Sequence, residues 1–166
     1  GTDFRAACLT EPLANGVHMV EMTRHLEMRD VLVIGAGPIG LMAQQAFQAL
    51  RGARVTVTDV REERLAVARS LGAIRTVNPR EEDLGAVSRQ LTAGEGFDLV
   101  VDAVGMETTN AQGLALLRPG GTLVMIGLHQ NGSPFRSYDV ILSQKNIMGS
   151  YAATHQDMGT ALDLIA

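Results

Sequence analysis

Three glycines and one aspartate in this sequence have a spacing that can hold a phosphorylated nucleotide. The stretch VLVIGAGPIGLMAQQAFQAL, residues 31–50, places Gly35, Gly37 and Gly40 in the pattern Gly-x-Gly-x-x-Gly. Gly35 lets the chain turn sharply out of a strand, Gly37 has no side chain to block a pyrophosphate, and Gly40 lets the following helix pack close to a sheet. Pro38 suits the first helical turn, where its missing N–H costs no bond. The free N–H groups of that turn, Ile39 foremost, then meet the phosphate with the helix dipole behind them. Asp59 follows 19 residues after Gly40. A carboxylate there accepts hydrogen bonds from both ribose hydroxyls and repels a 2′-phosphate, which favours NAD over NADP. Arg64 keeps a 2′-phosphate in contention. Two other readings remain open at this point: a tight turn without a ligand, and Asp59 as a helix cap ahead of VREERL.

The composition narrows the partners. The chain has 166 residues, 46% of them hydrophobic and only 4% aromatic, which suits one domain with tight helix-on-sheet packing. The net charge is −4 and Lys145 is the only lysine, so no basic stripe tracks a nucleic acid. Cys8 is the only cysteine; it forms no internal disulfide, fits a reducing, cytoplasmic setting, and rules out a zinc site of several cysteines. The run 31–50 carries no charge for twenty residues, the length of a membrane span. Gly35, Gly37 and Pro38 interrupt it, and Gln44, Gln45 and Gln48 sit in its second part, so it reads as strand, turn and helix with no membrane partner. The chain opens without Met and stops inside the amphipathic pattern MGTALDLIA, which leads us to expect a piece of a longer protein.

These residues need a framework, and the pattern supplies one. Strands are expected at 31–34, 54–59, 74–78, 97–104, 122–127 and 146–150. Helices are expected at 38–50, 61–72, 81–91 and 107–117, with another from about Thr154 and a separate one over 12–27. Alternating strands and helices imply a parallel sheet covered on both faces. Two βαβαβ halves give an α/β doubly wound six-stranded sheet of the Rossmann type, order 3-2-1-4-5-6, with its ligand outside the carboxyl ends of strands 1 and 4. Residues 1–27 read as a linker and boundary helix, and 28–166 as the dinucleotide-binding domain. Asp98 and Asp102 share a strand face about 13 Å apart, too far to act as a dyad, and read as polar punctuation. His18, His25, His129 and His155 have no metal-ligand spacing and read as solvated residues, with His129 placed to approach a cofactor.

The segments EPLANGVH, VLVIGAGPIGLMA, VTVTDVREERLAVARSLGA, FDLVVDAVG, LLRPGGTLVMIGL and NIMGSYA follow one another in an order and spacing that resembles the cofactor domain of zinc-type medium-chain alcohol dehydrogenases, nearest the sorbitol and threonine dehydrogenase branch. The resemblance covers nearly the whole chain. It implies that Gly35, Gly37, Pro38, Ile39 and Gly40 hold the pyrophosphate, and that Asp59 and Arg64 hold the adenosine ribose. Val104 and Gly105 would line the cleft. Main-chain groups around Ile126, Gly127 and Leu128, and around Ser150 and Ala152, would meet the nicotinamide end. Strand core is the competing role for Val104 and Ile126. Glu11 resembles the acid that this branch places beside its catalytic zinc, with Asn15 one turn on; it equally suits the start of a helix.

The family's catalytic domain, its zinc ligands and its four-cysteine loop have no counterpart in this sequence. The expectation is therefore a domain that binds NAD without turnover and holds no zinc or catalytic residue itself. In the whole enzyme implied by the resemblance, zinc acts as a Lewis acid on a small-molecule alcohol and hydride passes to NAD. A homo-oligomer through the exposed sixth strand is expected as well. The rivals are an S-adenosylmethionine-dependent methyltransferase, whose sheet ends in an antiparallel hairpin, and a nucleotide-sensing module without chemistry. A short-chain dehydrogenase fails because Tyr138 and Tyr151 are followed four residues later by Leu142 and His155, not by Lys.

Overall fold

The computed structural model describes residues 4–129 and 135–166; the rest of the irregular stretch after the fifth strand lies outside them. Six strands form one sheet in the order β3-β2-β1-β4-β5-β6. They are β1 (Asp30–Ile34), β2 (Arg54–Thr58), β3 (Arg75–Val77), β4 (Phe97–Asp102), β5 (Leu117–Met125) and β6 (Asn146–Gly149). All five pairings are parallel, so the described sheet has no antiparallel hairpin. The expected doubly wound topology is present.

The apolar runs explain the sheet. Val31, Leu32, Val33, Leu99, Val100 and Val101 are fully buried, as strands covered on both faces must be. One apolar cluster lies on the face holding Val31, Val33, Val55, Val57 and Phe47, and a second holds Leu32, Val100, Phe97, Leu114 and Leu123 on the other face. The helices α3 (Pro38–Arg51), α4 (Glu62–Ser70), α5 (Leu84–Leu91) and α6 (Glu107–Leu116) connect successive strands. Gly52 closes α3 in the left-handed conformation that ends helices.

Boundaries differ from the sequence expectation in instructive places. The helix expected over 12–27 is α2 (Thr10–Met22), preceded by the short α1 (Phe4–Ala7). Its Ala14, Val17 and Met19 are fully buried in the same core as β1, so it packs as part of the sheet's cover. The helix expected from 81 starts at Leu84, because the Asp83 carboxylate accepts the Gly85 N–H and fixes the start there. The fifth strand begins at Leu117 rather than 122, carrying RPGG into the sheet, with a register irregularity between Phe97 and Leu99 on its partner. The fourth strand ends at Asp102, where that side chain takes over the main-chain N–H groups of the next turn. Beyond β5 lie α7 (Ser137–Ile141) and α8 (His155–Ile165). Among the described residues, no helix is long and apolar enough to cross a membrane.

Candidate functional site

The glycine turn joins β1 to α3 at the carboxyl edge of the sheet. Gly35 has φ +98°, and its N–H donates to the Thr58 carbonyl of β2 at 2.7 Å. A Cβ at Gly40 would lie 1.8 Å from the Gly35 carbonyl oxygen, so only glycine permits the helix to start so close to the strand. A Cβ at Gly37 would meet nothing within 4 Å, which leaves open space at the point where the motif expects a pyrophosphate. Pro38 occupies the first turn and no side chain caps the helix, so its first N–H groups retain their capacity for an anion.

Asp59 lies just past β2 and is almost wholly buried, at 9% exposure. One carboxylate oxygen accepts the Ala36 N–H at 2.8 Å and the other accepts the Arg61 N–H at 2.9 Å. The latter bond is the local turn that introduces α4, whose cap position is Arg61 itself. Arg64 approaches the first oxygen at 3.5 Å. The oxygen bonded to Arg61 keeps a second lone pair for a sugar hydroxyl, whereas the second lone pair of the other carries only the long Arg64 bond. The carboxylate borders a cavity of about 210 Å³ lined by Ile34, Gly35, Arg64, Val104 and Thr109, among others. Thr58 also lines it, and its buried hydroxyl lacks a hydrogen-bond partner. The larger cavity of about 460 Å³ lies away from these groups, against β3, where Arg69 pairs with Glu62 and Arg75 with Glu82.

The remaining expected residues occupy the same carboxyl edge. Val104 lines the cavity, and its Cγ2 would lie 2.7 Å from a Cβ on Gly35. Gly105 is buried with φ +82°, and its backbone packs directly on Gly127; a Cβ would come within 2.2 Å of the Gly127 carbonyl oxygen. Ile126 is half-buried against the core, whereas Leu128 is 86% exposed. Ser150 follows β6 with a buried hydroxyl lacking a partner, and Ala152 holds φ +58°. Gly105, Ile126, Gly127, Leu128, Ser150 and Ala152 stand at the exits of β4, β5 and β6 and do not line the cavity beside Asp59.

Two expectations need correcting. Asp102 and Asp98 are organising groups, not punctuation. Fully buried Asp102 accepts the N–H groups of Val104 and Gly105 at 2.8 and 3.0 Å and the Thr109 hydroxyl at 2.7 Å. Its carbonyl accepts the N–H groups of Ile126 and Gly127, so one residue fixes both turns. Asp98 accepts the N–H groups of Arg29 and Asp30 and pairs with Arg118. Burial works against its ionisation, but these donors outweigh burial and hold its carboxyl below the usual value. His18 is the other correction: its Nδ1 meets Asp157 Oδ2 at 2.9 Å, joining α2 to α8. Asp102 carries a sequence signal, since an aspartate bonding the N–H two residues on forms an Asx turn. The Thr154–Asp157 spacing of a capping box is likewise readable.

Glu11 is exposed on α2, its carboxylate accepting the Asn15 side-chain amide at 3.1 Å. Among the described residues, no three His, Cys, Asp or Glu side chains gather as a metal site would require. The residues present therefore do not fit a zinc ion, whereas the open side of Gly37 and the held Asp59 fit a dinucleotide.

This edge and topology define the class: a doubly wound nucleotide-binding fold with its turn at the switch between β1 and β4. Comparison with known proteins narrows the class further. The profile of the family described as zinc-binding dehydrogenase matches residues 38–166, and the chain belongs to that family. L-threonine 3-dehydrogenase of Chromobacterium violaceum is 34% identical over 145 residues, covering 87% of this chain and 42% of its own length. D-xylulose reductase A of Aspergillus oryzae is 30% identical over 168 residues, covering 99% and 47%. The solved structure of alcohol dehydrogenase TADH from Thermus sp. ATN1 superposes with a TM-score of 0.90 at 30% identity, over 99% of this chain and 48% of that one. The chain thus spans less than half the length of these relatives.

Proposed function

We propose that residues 28–166 form the NAD(H)-binding domain of a zinc-dependent alcohol or polyol dehydrogenase, with 1–27 at its boundary to a catalytic domain. The observation that carries this reading is the Asp59 carboxylate, fastened beside the glycine turn by the Ala36 and Arg61 N–H groups, with a free lone pair on Oδ1 and only the long Arg64 bond on the second lone pair of Oδ2. Asp59 and Arg64 hold the adenosine ribose. Gly35, Gly37, Pro38, Ile39 and Gly40 admit the pyrophosphate. Val104 and Gly105 wall the cleft, while main-chain groups of Ile126–Leu128 and of Ser150 and Ala152 orient the nicotinamide. Bound NAD supplies the hydride acceptor; this chain binds it, sets its direction and shields one face. Zinc and the alcohol pocket belong to the catalytic domain, with Glu11 facing that domain.

Calorimetric titration with NADH, NADPH and S-adenosylmethionine tests the assignment. Binding of NADH in clear preference to the other two supports it. Preference for S-adenosylmethionine, or equal binding of NADPH, would overturn the cofactor assignment.

The partner in solution is a second copy joined along β6. That strand is the free edge beside β5, with Ile147 37% exposed and Ile141 of α7 and the following Leu142 exposed nearby in sequence. Light scattering at high concentration should give the mass of a dimer; a monomer mass would refute it. The single cysteine, exposed and free, suits the cytoplasm, which fractionation of the source cells checks.

A further inference from the structure

We infer that His18 and Asp157 are positioning residues that hold the turn 150–154 in the shape that receives the nicotinamide half of the cofactor, an inference that rests on the NAD reading above. Asp157 has a buried side chain, and its Oδ2 gathers three donors: the Thr154 N–H at 2.8 Å, the Thr154 hydroxyl at 2.7 Å and His18 Nδ1 at 2.9 Å. The first, together with the Asp157 N–H donating to the Thr154 hydroxyl oxygen at 3.2 Å, closes the capping box of α8. The third comes from α2, 139 residues away, so the box is anchored to the helix carrying Glu11 and Asn15. Burial disfavours the charged carboxyl, yet these donors outweigh it and keep Asp157 below its usual pKa.

The turn needs such an anchor. Ala152 is held at φ +58°, a conformation that a residue with a Cβ keeps only when its surroundings impose it. The Ser150 hydroxyl is buried without a partner, so the turn contains an unused polar group beside a strained one. At its start, the turn is fixed by the Ser150 N–H on the Met125 carbonyl. At its far end, the His18–Asp157–Thr154 chain is the fixation. Met158 and Ala161 keep α8 itself in the core, so breaking the His18 bond loosens the turn more than the helix.

The two halves of the cofactor separate the consequences. Asp59 follows β2, and the turn follows β6, four strand spacings or about 19 Å away. ADP engages the Asp59 end and the glycine turn, whereas NADH reaches both ends. Calorimetry of this chain with ADP and NADH therefore measures the turn as a ratio of affinities. In the unaltered chain NADH should bind more tightly than ADP. His18→Ala should reduce that advantage roughly fivefold or more while changing ADP affinity less than about twofold. His18→Asn, whose amide N–H replaces Nδ1–H, should restore most of it. Asp157→Ala should act like His18→Ala. An unchanged ratio in both alanine variants overturns the inference, as does equal weakening of ADP and NADH, which marks a general structural role. Equal binding of ADP and NADH by the unaltered chain also overturns it while leaving the Asp59 end intact. Failure of both ligands to bind the unaltered chain overturns the NAD reading itself.

Discussion

The N–H of Ala36 donates to Asp59 Oδ2 at 2.8 Å, a bond between residues 23 apart that ties the glycine turn to the end of β2. With Arg61 N–H on the other oxygen, the carboxylate is fixed before any ligand arrives. A ribose diol meeting it need not first order a mobile side chain. The same fixation prevents the carboxylate from swinging away from a 2′-phosphate. Arg64, at 3.5 Å, offsets part of the charge without removing it.

Asp59→Asn should therefore weaken NADH binding roughly tenfold, because bonds to a charged acceptor contribute about 1.5–3 kcal/mol. It should weaken NADPH less, since repulsion disappears along with attraction. The ratio of the two dissociation constants is the informative quantity. If the ratio stays fixed, Asp59 does not discriminate between the two cofactors.

Gly37 and Gly40 should respond in opposite ways to the same change. A methyl group at Gly37 meets no protein atom within 4 Å, and the backbone there, φ −75°, accepts it. Gly37→Ala should keep its melting temperature but lose NADH affinity severalfold, as the methyl occupies space the pyrophosphate needs. At Gly40 the methyl would collide with the Gly35 carbonyl, so Gly40→Ala should cost about 1–3 kcal/mol of stability. Denaturation and titration of the two variants side by side provide the check. A Gly37→Ala variant that binds NADH normally would mean that the open space there is not a phosphate cradle.

Acid should destabilise the fold through Asp98 and Asp157. Both carboxyls are held below the usual value when folded, by hydrogen bonds that outweigh the burial opposing them. The unfolded chain thus binds protons first. Their stabilisation is fully present above the unfolded pKa, near ~3.9, and disappears as the pH falls through the lower folded values. Asp98→Asn should be less stable than the unaltered protein at pH 7, by about 1–3 kcal/mol for the weakened bonds from Arg29, Asp30 and Arg118. The two should converge as the pH falls through the lowered folded pKa of Asp98. Urea midpoints from neutral pH downward measure the gap; a gap that widens on acidification would refute the assignment.

The contrast between Gly37 and His18 shows what the sequence could reveal. The strands and the glycine turn were legible because their signals are local: unbroken apolar runs such as LVV of β4, and a glycine pattern with a fixed mechanical meaning. Asp59 was legible because the repeat of the fold fixes its distance from Gly40. His18 was not, since its partner lies 139 residues away and no local pattern announces a bond across α2 and α8. Glycine and proline in RPGG ordinarily mark a turn, and only the neighbouring β4 draws Leu117 and Arg118 into a strand. Asp102 lay between: its Asx turn is a local signal, but its carbonyl bonds to Ile126 and Gly127 are made only when β5 lies beside it.

Asp102 yields the sharpest test of that positioning. Its Oδ1 accepts two N–H groups of the turn that follows β4, those of Val104 and Gly105. Asp102→Ala would leave both without that acceptor in a buried place, at a cost of about 1–3 kcal/mol each. Asp102→Asn should be far milder. Its Oδ1 can accept both N–H groups, and its amide can donate to Thr109 Oγ1, whose hydroxyl can turn to the Met106 carbonyl 3.0 Å away. The asparagine variant should lie within about 1 kcal/mol of the unaltered protein in urea and the alanine variant about 3 kcal/mol or more below it. Equal loss in both would show that the negative charge, and not the acceptor geometry, holds the exits of β4 and β5 together.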